Sequence, residues 1–358
     1  MRQPSQRSSE PSGGKAKRAR ETREMNRLPA AKTCYIHVGT HKTGTTAIQA
    51  FCAANDAALE KAGLLYVRTV RLAADLPGHH NVAFELSGDA RFSAQEPKLA
   101  DALAEIDGSR PPRACLSSEA FEYLHVMPDA LRRLRDDLSD IGYRARIIIF
   151  LRPQADYIES LYAELVKHGS SIGFRDFLEI IVRDGVFRFA DVWTFRFEHP
   201  LLIAAFAEAF GEDALTVRAY DAHAKPVKLL EEFLDIAGVG SYAIDPACYE
   251  SATHANERLA SSGVLGLLAR NRGASPPAVT VNAEVSCSDG AGDGRPFEPL
   301  TADDLVRVTA RFAEDDARVS ERCRIHLVPV TPERLRRGRR VEGCDPGRRL
   351  AERDAVFG

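Results

Sequence analysis

Five short apolar runs, each followed by sequence with helical spacing, constrain this chain more than any total does. They are TCYIHVGT (33–40), GLLYV (63–67), RACLSSE (113–119), ARIIIFLR (145–152) and ALTVRAY (214–220). Their apolar character is continuous instead of alternating, which marks strands buried on both faces. Strands alternating with helices join through right-handed crossovers into a mainly parallel sheet. The expected fold is α/β and three-layered, a mainly parallel central sheet flanked by helices, with ligands at the carboxyl ends of the strands. Helices are expected at 45–62, where Ile48, Phe51, Cys52 and Leu59 lie near one face, at 225–239 and around 305–319.

The ends differ from this middle. Residues 1–30 are rich in Ser, Pro, Gly and charge and cannot bury a core, so a disordered basic extension is expected there. One folded domain is expected over 31–330, with a flexible loop at 273–299 and an Arg-rich, disordered tail at 331–358. The net charge of -3 conceals +5 over residues 1–27 and +3 over 331–358, which leaves -11 between them. An acidic middle repels polyanions as a whole, so nucleic acid is not an expected partner, and any anion must be held by a few placed cations and backbone amides. No run approaches the roughly 18 apolar residues of a membrane span, and the N-terminus has no apolar signal core. A soluble, cytoplasmic protein is the expectation. Seven scattered cysteines without a C-x-x-C pair suggest neither a disulfide framework nor a zinc site.

The first strand runs into GTHKTGTT. In a Walker A loop, G-x-x-x-x-G-K-[ST], amides cradle phosphates, the lysine reaches the β/γ-phosphates and the hydroxyl holds Mg²⁺. Here Gly39 and Gly44 have that spacing, but Thr45 stands at the lysine position and Lys42 lies earlier in the loop. The amides of Gly44, Thr45 and Thr46, with the hydroxyls of Thr43, Thr45 and Thr46, still form an anion site at a helix N-terminus. A lysine set back in this way suits a 5′-phosphate carrying one transferable group. The run IIIFLR ends in Arg152 where a Walker B strand would end in Asp, so no metal is expected. Arg152 at the sheet mouth, with Ser160 eight residues on, offers a second anion site through charge-assisted bonds.

At these residues the chain resembles the sulfotransferases that use 3′-phosphoadenosine 5′-phosphosulfate (PAPS). GTHKTGTT looks like their 5′-phosphosulfate loop, and its K-T-G-T-T portion is similar to that of the heparan N-sulfotransferases. The surroundings are most similar to bacterial sulfotransferase family proteins, and the resemblance runs from about 33 to 240 and loosely through HANERL (254–259). It implies a P-loop sulfotransferase fold. Lys42 would stabilise charge on the oxygen bridging phosphate and sulfur, Gly44, Thr45 and Thr46 would bind the 5′-phosphate, and Arg152 with Ser160 the 3′-phosphate. Tyr220 would either contact the adenosine or pack at its strand end. The capping R-K-G-x-x-G segment of cytosolic members has no recognisable counterpart.

Sulfuryl transfer to a hydroxyl or amine needs a base within hydrogen-bond reach of the acceptor. In cytosolic sulfotransferases the corresponding strand ends in K-T-H, whose His is the base; S-S-E looks like its counterpart here, and other branches of the family use Glu, so Glu119 is the first candidate, beside Ser117 and Ser118. His79 and His80 of GHHN are the alternative, and His41 shapes the loop or touches the acceptor. The expected acceptor is carbohydrate first, then a lipid, peptide or small metabolite. Two other classes stay open: a P-loop kinase or NTPase with an atypical loop, and a non-catalytic nucleotide-binding protein.

Overall fold

The computed structural model describes residues 32–73, 76–189, 193–221, 224, 226–241, 244–245, 261–273 and 297–327. The readings made for 1–30, HANERL, 331–358 and all but the ends of 273–299 lie outside the described residues. In chain order the strands are β1 (Lys32–Val38), β2 (Leu64–Tyr66), β3 (Arg113–Ser118), β4 (Tyr143–Leu151), β5 (Val186–Phe189), β6 (Trp193–Arg196) and β7 (Leu215–Ala219). The α-helices are α1 (Thr45–Ala54), α2 (Asp56–Lys61), α3 (His80–Ser87), α4 (Leu99–Ser109), α5 (Pro128–Asp140), α6 (Gln154–Lys167), α7 (Phe174–Asp184), α8 (His199–Phe210), α9 (Pro226–Ile236), α10 (Ser261–Gly273) and α11 (Ala302–Cys323).

The central sheet has the order β2-β3-β1-β4-β7, and all its pairs are parallel. The protein is thus α/β with a five-stranded parallel sheet flanked by helices. Both faces are covered, which is why the strand sequences are continuously apolar. On one face Ile148 and Phe150 of β4 and Cys115 of β3 pack with Ile48, Phe51, Cys52 and Leu59 of α1 and α2 and with Leu230, Phe233 and Leu234 of α9. On the other, Cys34, Ile36 and Val38 of β1 and Ile147, Ile149 and Leu151 of β4 meet the larger core beneath α4 to α8 and α11.

Three expectations change in detail. The helix expected at 45–62 is two helices, because the Asn55 side chain and amide both donate to the Phe51 carbonyl and end the first. The last helix is longer than expected: Thr301 and Asp304 form a capping box that starts it at Ala302. The antiparallel pair β5–β6, outside the main sheet, has strands of only four residues and gave no sequence signal. Among the described residues no helix is long and apolar enough to cross a membrane.

The chain leaves β1 toward the β2 edge and leaves β4 toward the β7 edge, so the carboxyl ends of β1 and β4 flank a topological switch point. The loop after β1, Ser118 and Glu119 after β3, Arg152 after β4 and Tyr220 after β7 all stand at that end of the sheet.

Candidate functional site

The loop from Gly39 to Gly44 is braced by neighbouring strands. The Gly39 amide donates to the Ser118 carbonyl at 3.3 Å, and the Thr40 hydroxyl donates to the Phe150 carbonyl of β4. The buried Thr43 hydroxyl donates to the Thr40 carbonyl, so it closes the loop and is not offered to a ligand. Lys42 and Gly44 adopt left-handed conformations, φ 67° and 78°. That turn points the first amides of α1 out of the sheet, and those of Gly44, Thr45 and Thr46 donate to no acceptor among the described residues. Thr45 is buried, yet its Oγ1 has no hydrogen-bond partner among the described residues. A Cβ on Gly39 would overlap Thr45 Oγ1, and one on Gly44 would overlap Leu229 and crowd the Tyr220 ring. Both glycines let these side chains pack closely on the loop at a helix N-terminus. Thr46 is exposed at its rim.

Arg152 is 95% buried and reaches across the switch point: its Nη1 donates to the Lys42 carbonyl at 2.9 Å, and its guanidinium lies 5.7 Å from the Tyr220 ring centroid. The two anion elements expected from the sequence are therefore joined by a direct bond. The Lys42 ammonium donates to Glu164 Oε2 of α6 at 3.2 Å. Ser160 lies one helical turn before Glu164, on the same stripe of α6, half-buried and without a side-chain hydrogen bond among the described residues. Tyr220 continues the β4–β7 pairing through its amide to the Leu151 carbonyl, and its ring covers Gly44.

The base candidates separate clearly. His79 is fully buried; the Ser117 amide donates to its Nδ1 at 2.7 Å, its Nε2 donates to the Val67 carbonyl at 2.7 Å, and burial pulls it down to about 3. It is a structural link between β2 and β3. His41 is also committed, its amide and Nδ1 donating to buried Glu122 at 3.0 and 2.8 Å while Nε2 pairs with the Tyr123 hydroxyl at 2.9 Å. It shapes the loop. Ser117 and Ser118 are fully buried, so they face no acceptor: Ser117 Oγ pairs with His37 Nδ1 at 2.8 Å, and Ser118 Oγ with His80 Nδ1 at 2.9 Å.

Glu119 and His80 remain. Glu119 Oε2 accepts from Gln49 at 3.2 Å and lies 3.6 Å from His80 Nδ1. Burial pulls His80 below the ordinary histidine value, with Glu119 opposing and Arg91 and His41 adding to the fall. The nearby carboxylate favours the proton on Nδ1, which leaves a lone pair on Nε2, and Nε2 has no protein partner among the described residues. Gln49 sits one helical turn from Thr45, so this pair lies beside the anion cradle.

Sequence reasoning missed Glu164, Gln49 and Glu122. The first two carried a usable signal, since Glu164 follows Ser160 by four and Gln49 follows Thr45 by four, the spacing of one helix face. Glu122 had none, because its 3-10 segment, residues 119–126, lacks a clear period. Comparison of the chain with protein-family models, curated proteins and solved structures found no match.

Proposed function

We propose that this protein is a PAPS-dependent sulfotransferase, moving a sulfuryl group from PAPS to a hydroxyl or amine of an acceptor, carbohydrate first, and releasing adenosine 3′,5′-bisphosphate. The observation that carries the reading is the bond from Arg152 Nη1 to the Lys42 carbonyl, which sets a buried cation against a loop of unspent amides. One nucleotide with two separate phosphates would use both. Thr45 Oγ1, without a hydrogen-bond partner among the described residues, suits a phosphate group at this helix N-terminus.

In this reading the amides of Gly44, Thr45 and Thr46 hold the 5′-phosphate, Arg152 and Ser160 the 3′-phosphate, and Tyr220 lies against the adenosine. PAPS supplies the activated sulfuryl group. As its S–O bond to the phosphate breaks, Lys42 neutralises charge on the departing oxygen, an electrostatic task that needs no movement of heavy atoms. The acceptor oxygen or nitrogen bonds to sulfur and gives its proton to His80 Nε2, with Glu119 fixing the imidazole. Positioning and electrostatics dominate a loose transfer of this kind, as in phosphoryl transfer.

Calorimetric titration with adenosine 3′,5′-bisphosphate, AMP, and ATP with Mg²⁺ tests the reading. The bisphosphate should bind tightest, and Arg152→Ala should lose about tenfold to a thousandfold in affinity for it while AMP changes little. ATP binding that needs Mg²⁺ and ignores Arg152 would sink the proposal in favour of a kinase or NTPase. Bisphosphate binding with no sulfate transfer across an acceptor panel, and no effect of Glu119→Gln on any activity, would instead favour a non-catalytic binding protein.

A further inference from the structure

A carboxylate at the mouth of an anion site needs a reason, because it repels the phosphates the site is built to hold. Glu164 is such a group. Its Oε2 lies 3.2 Å from Lys42 Nζ, with both side chains only partly exposed. The lysine backbone is fixed from the same β4–α6 unit, since Arg152 donates to its carbonyl and its φ of 67° sets the turn. Backbone and ammonium are thus held by two groups twelve residues apart on one rigid segment. The ammonium end alone is free to move.

Glu164 also has two further partners, Lys167 Nζ at 3.3 Å and His168 Nε2 at 3.5 Å. Burial acts to raise its carboxyl, but the His168 bond and the charges of Lys42, Lys167 and His168 outweigh that and hold it well below the usual carboxylate range. A partly exposed ion pair is worth little net, so an incoming oxyanion can take the ammonium without leaving a bare carboxylate behind.

We infer that Glu164 is the positioning residue of Lys42: it holds the ammonium over the loop in the free protein and yields it to the donor's phosphate, while Lys167 and His168 stay beside the carboxylate. This rests on the sulfotransferase reading of the loop. Glu164 and the donor then compete for one lysine, a coupling that can be measured without knowing the acceptor.

Adenosine 3′,5′-bisphosphate is titrated into the full chain, into Glu164→Gln, into Lys42→Met and into the double variant, with thermal melts confirming that each is folded. Glu164→Gln should bind about threefold to fivefold more tightly than the wild type, the most that a partly exposed ion pair can hold back. In the Lys42→Met background the same substitution should change affinity by less than about twofold. Glu164→Asp, too short to reach the lysine but still beside Lys167 and His168, serves as the second variant and should resemble Glu164→Gln. An equal gain in both backgrounds would mean that Glu164 acts as a bare charge, and no gain at all that it does not hold the lysine; either overturns the inference alone. Failure of the wild type to bind the bisphosphate would overturn the sulfotransferase reading as well.

Discussion

At the residue scale, the site contains two neighbouring groups able to take a proton, and their environments assign different tasks. Glu119 accepts from Gln49, and His80 is anchored through Nδ1 while its Nε2, against Gly78, has no hydrogen-bond partner among the described residues. Glu119→Gln and His80→Gln should each lower transfer by about 10²–10⁴-fold, the usual range for a lost general base or its partner. The pH profiles should differ. Burial already depresses His80 and Glu119 opposes this, so removing the carboxylate should shift the acid limb of kcat/KM to lower pH. A limb that moves upward, or vanishes only in Glu119→Gln, would make Glu119 the base. Lys42→Ala should lower turnover by at least about a hundredfold with an unchanged melting temperature, and near-normal turnover would refute its role. The positions of Lys42, Arg152 and Glu119 at the carboxyl end of the sheet were legible because loop spacing and strand ends expose them in sequence. Glu164 was hidden because a glutamate near the end of an amphipathic helix looks like any solvated charge.

At the element scale, the parallel sheet was legible because strands buried on both faces must be continuously apolar, as 147–151 of β4 are. The break at Asn55 was not, because a single side-chain bond to Phe51 decides it within an otherwise unbroken helical pattern. The strand-to-helix turn after β1 is the element on which the site depends most. Gly39→Ala would force Thr45 Oγ1 aside and should cost about 1–3 kcal/mol of stability, as overpacking does, and weaken bisphosphate binding with it. Gly39→Ala at full stability and affinity would show that the cradle can relax. Thr301→Ala removes the capping box of α11 and should cost about 1 kcal/mol by denaturant titration, while leaving bisphosphate affinity unchanged because Thr301 touches none of the site residues.

At the scale of the whole molecule, the helix that carries Ser160 and Glu164 is clamped by the C-terminal end of the described structure. Glu159 of α6 accepts the Leu300 amide at 3.1 Å, and Gln154 donates to Asp316 of α11 at 2.8 Å. Both carboxyls are pushed up: Glu159 to about 7 by burial and by Glu298 and Asp156, against the Leu300 bond and Arg152, and Asp316 to about 6 by burial and Asp315, against the Gln154 bond. A carboxyl whose value is higher folded than unfolded makes the folded state bind the extra proton. Its contribution is complete below the unfolded value and is lost as pH rises through the folded one. The net stability contributed by these two carboxyls should therefore fall between about pH 4.5 and 7 although their hydrogen bonds persist, opposite in sense to Glu164, whose depressed carboxyl stabilises the fold above its unfolded value and loses that contribution in acid. Glu159→Gln keeps an acceptor for the Leu300 amide but cannot ionise, so its melting temperature relative to the wild type should rise from pH 5 to pH 8. A constant difference across that range would mean that Glu159 is neutral or charged throughout and contributes no pH dependence at the site helix.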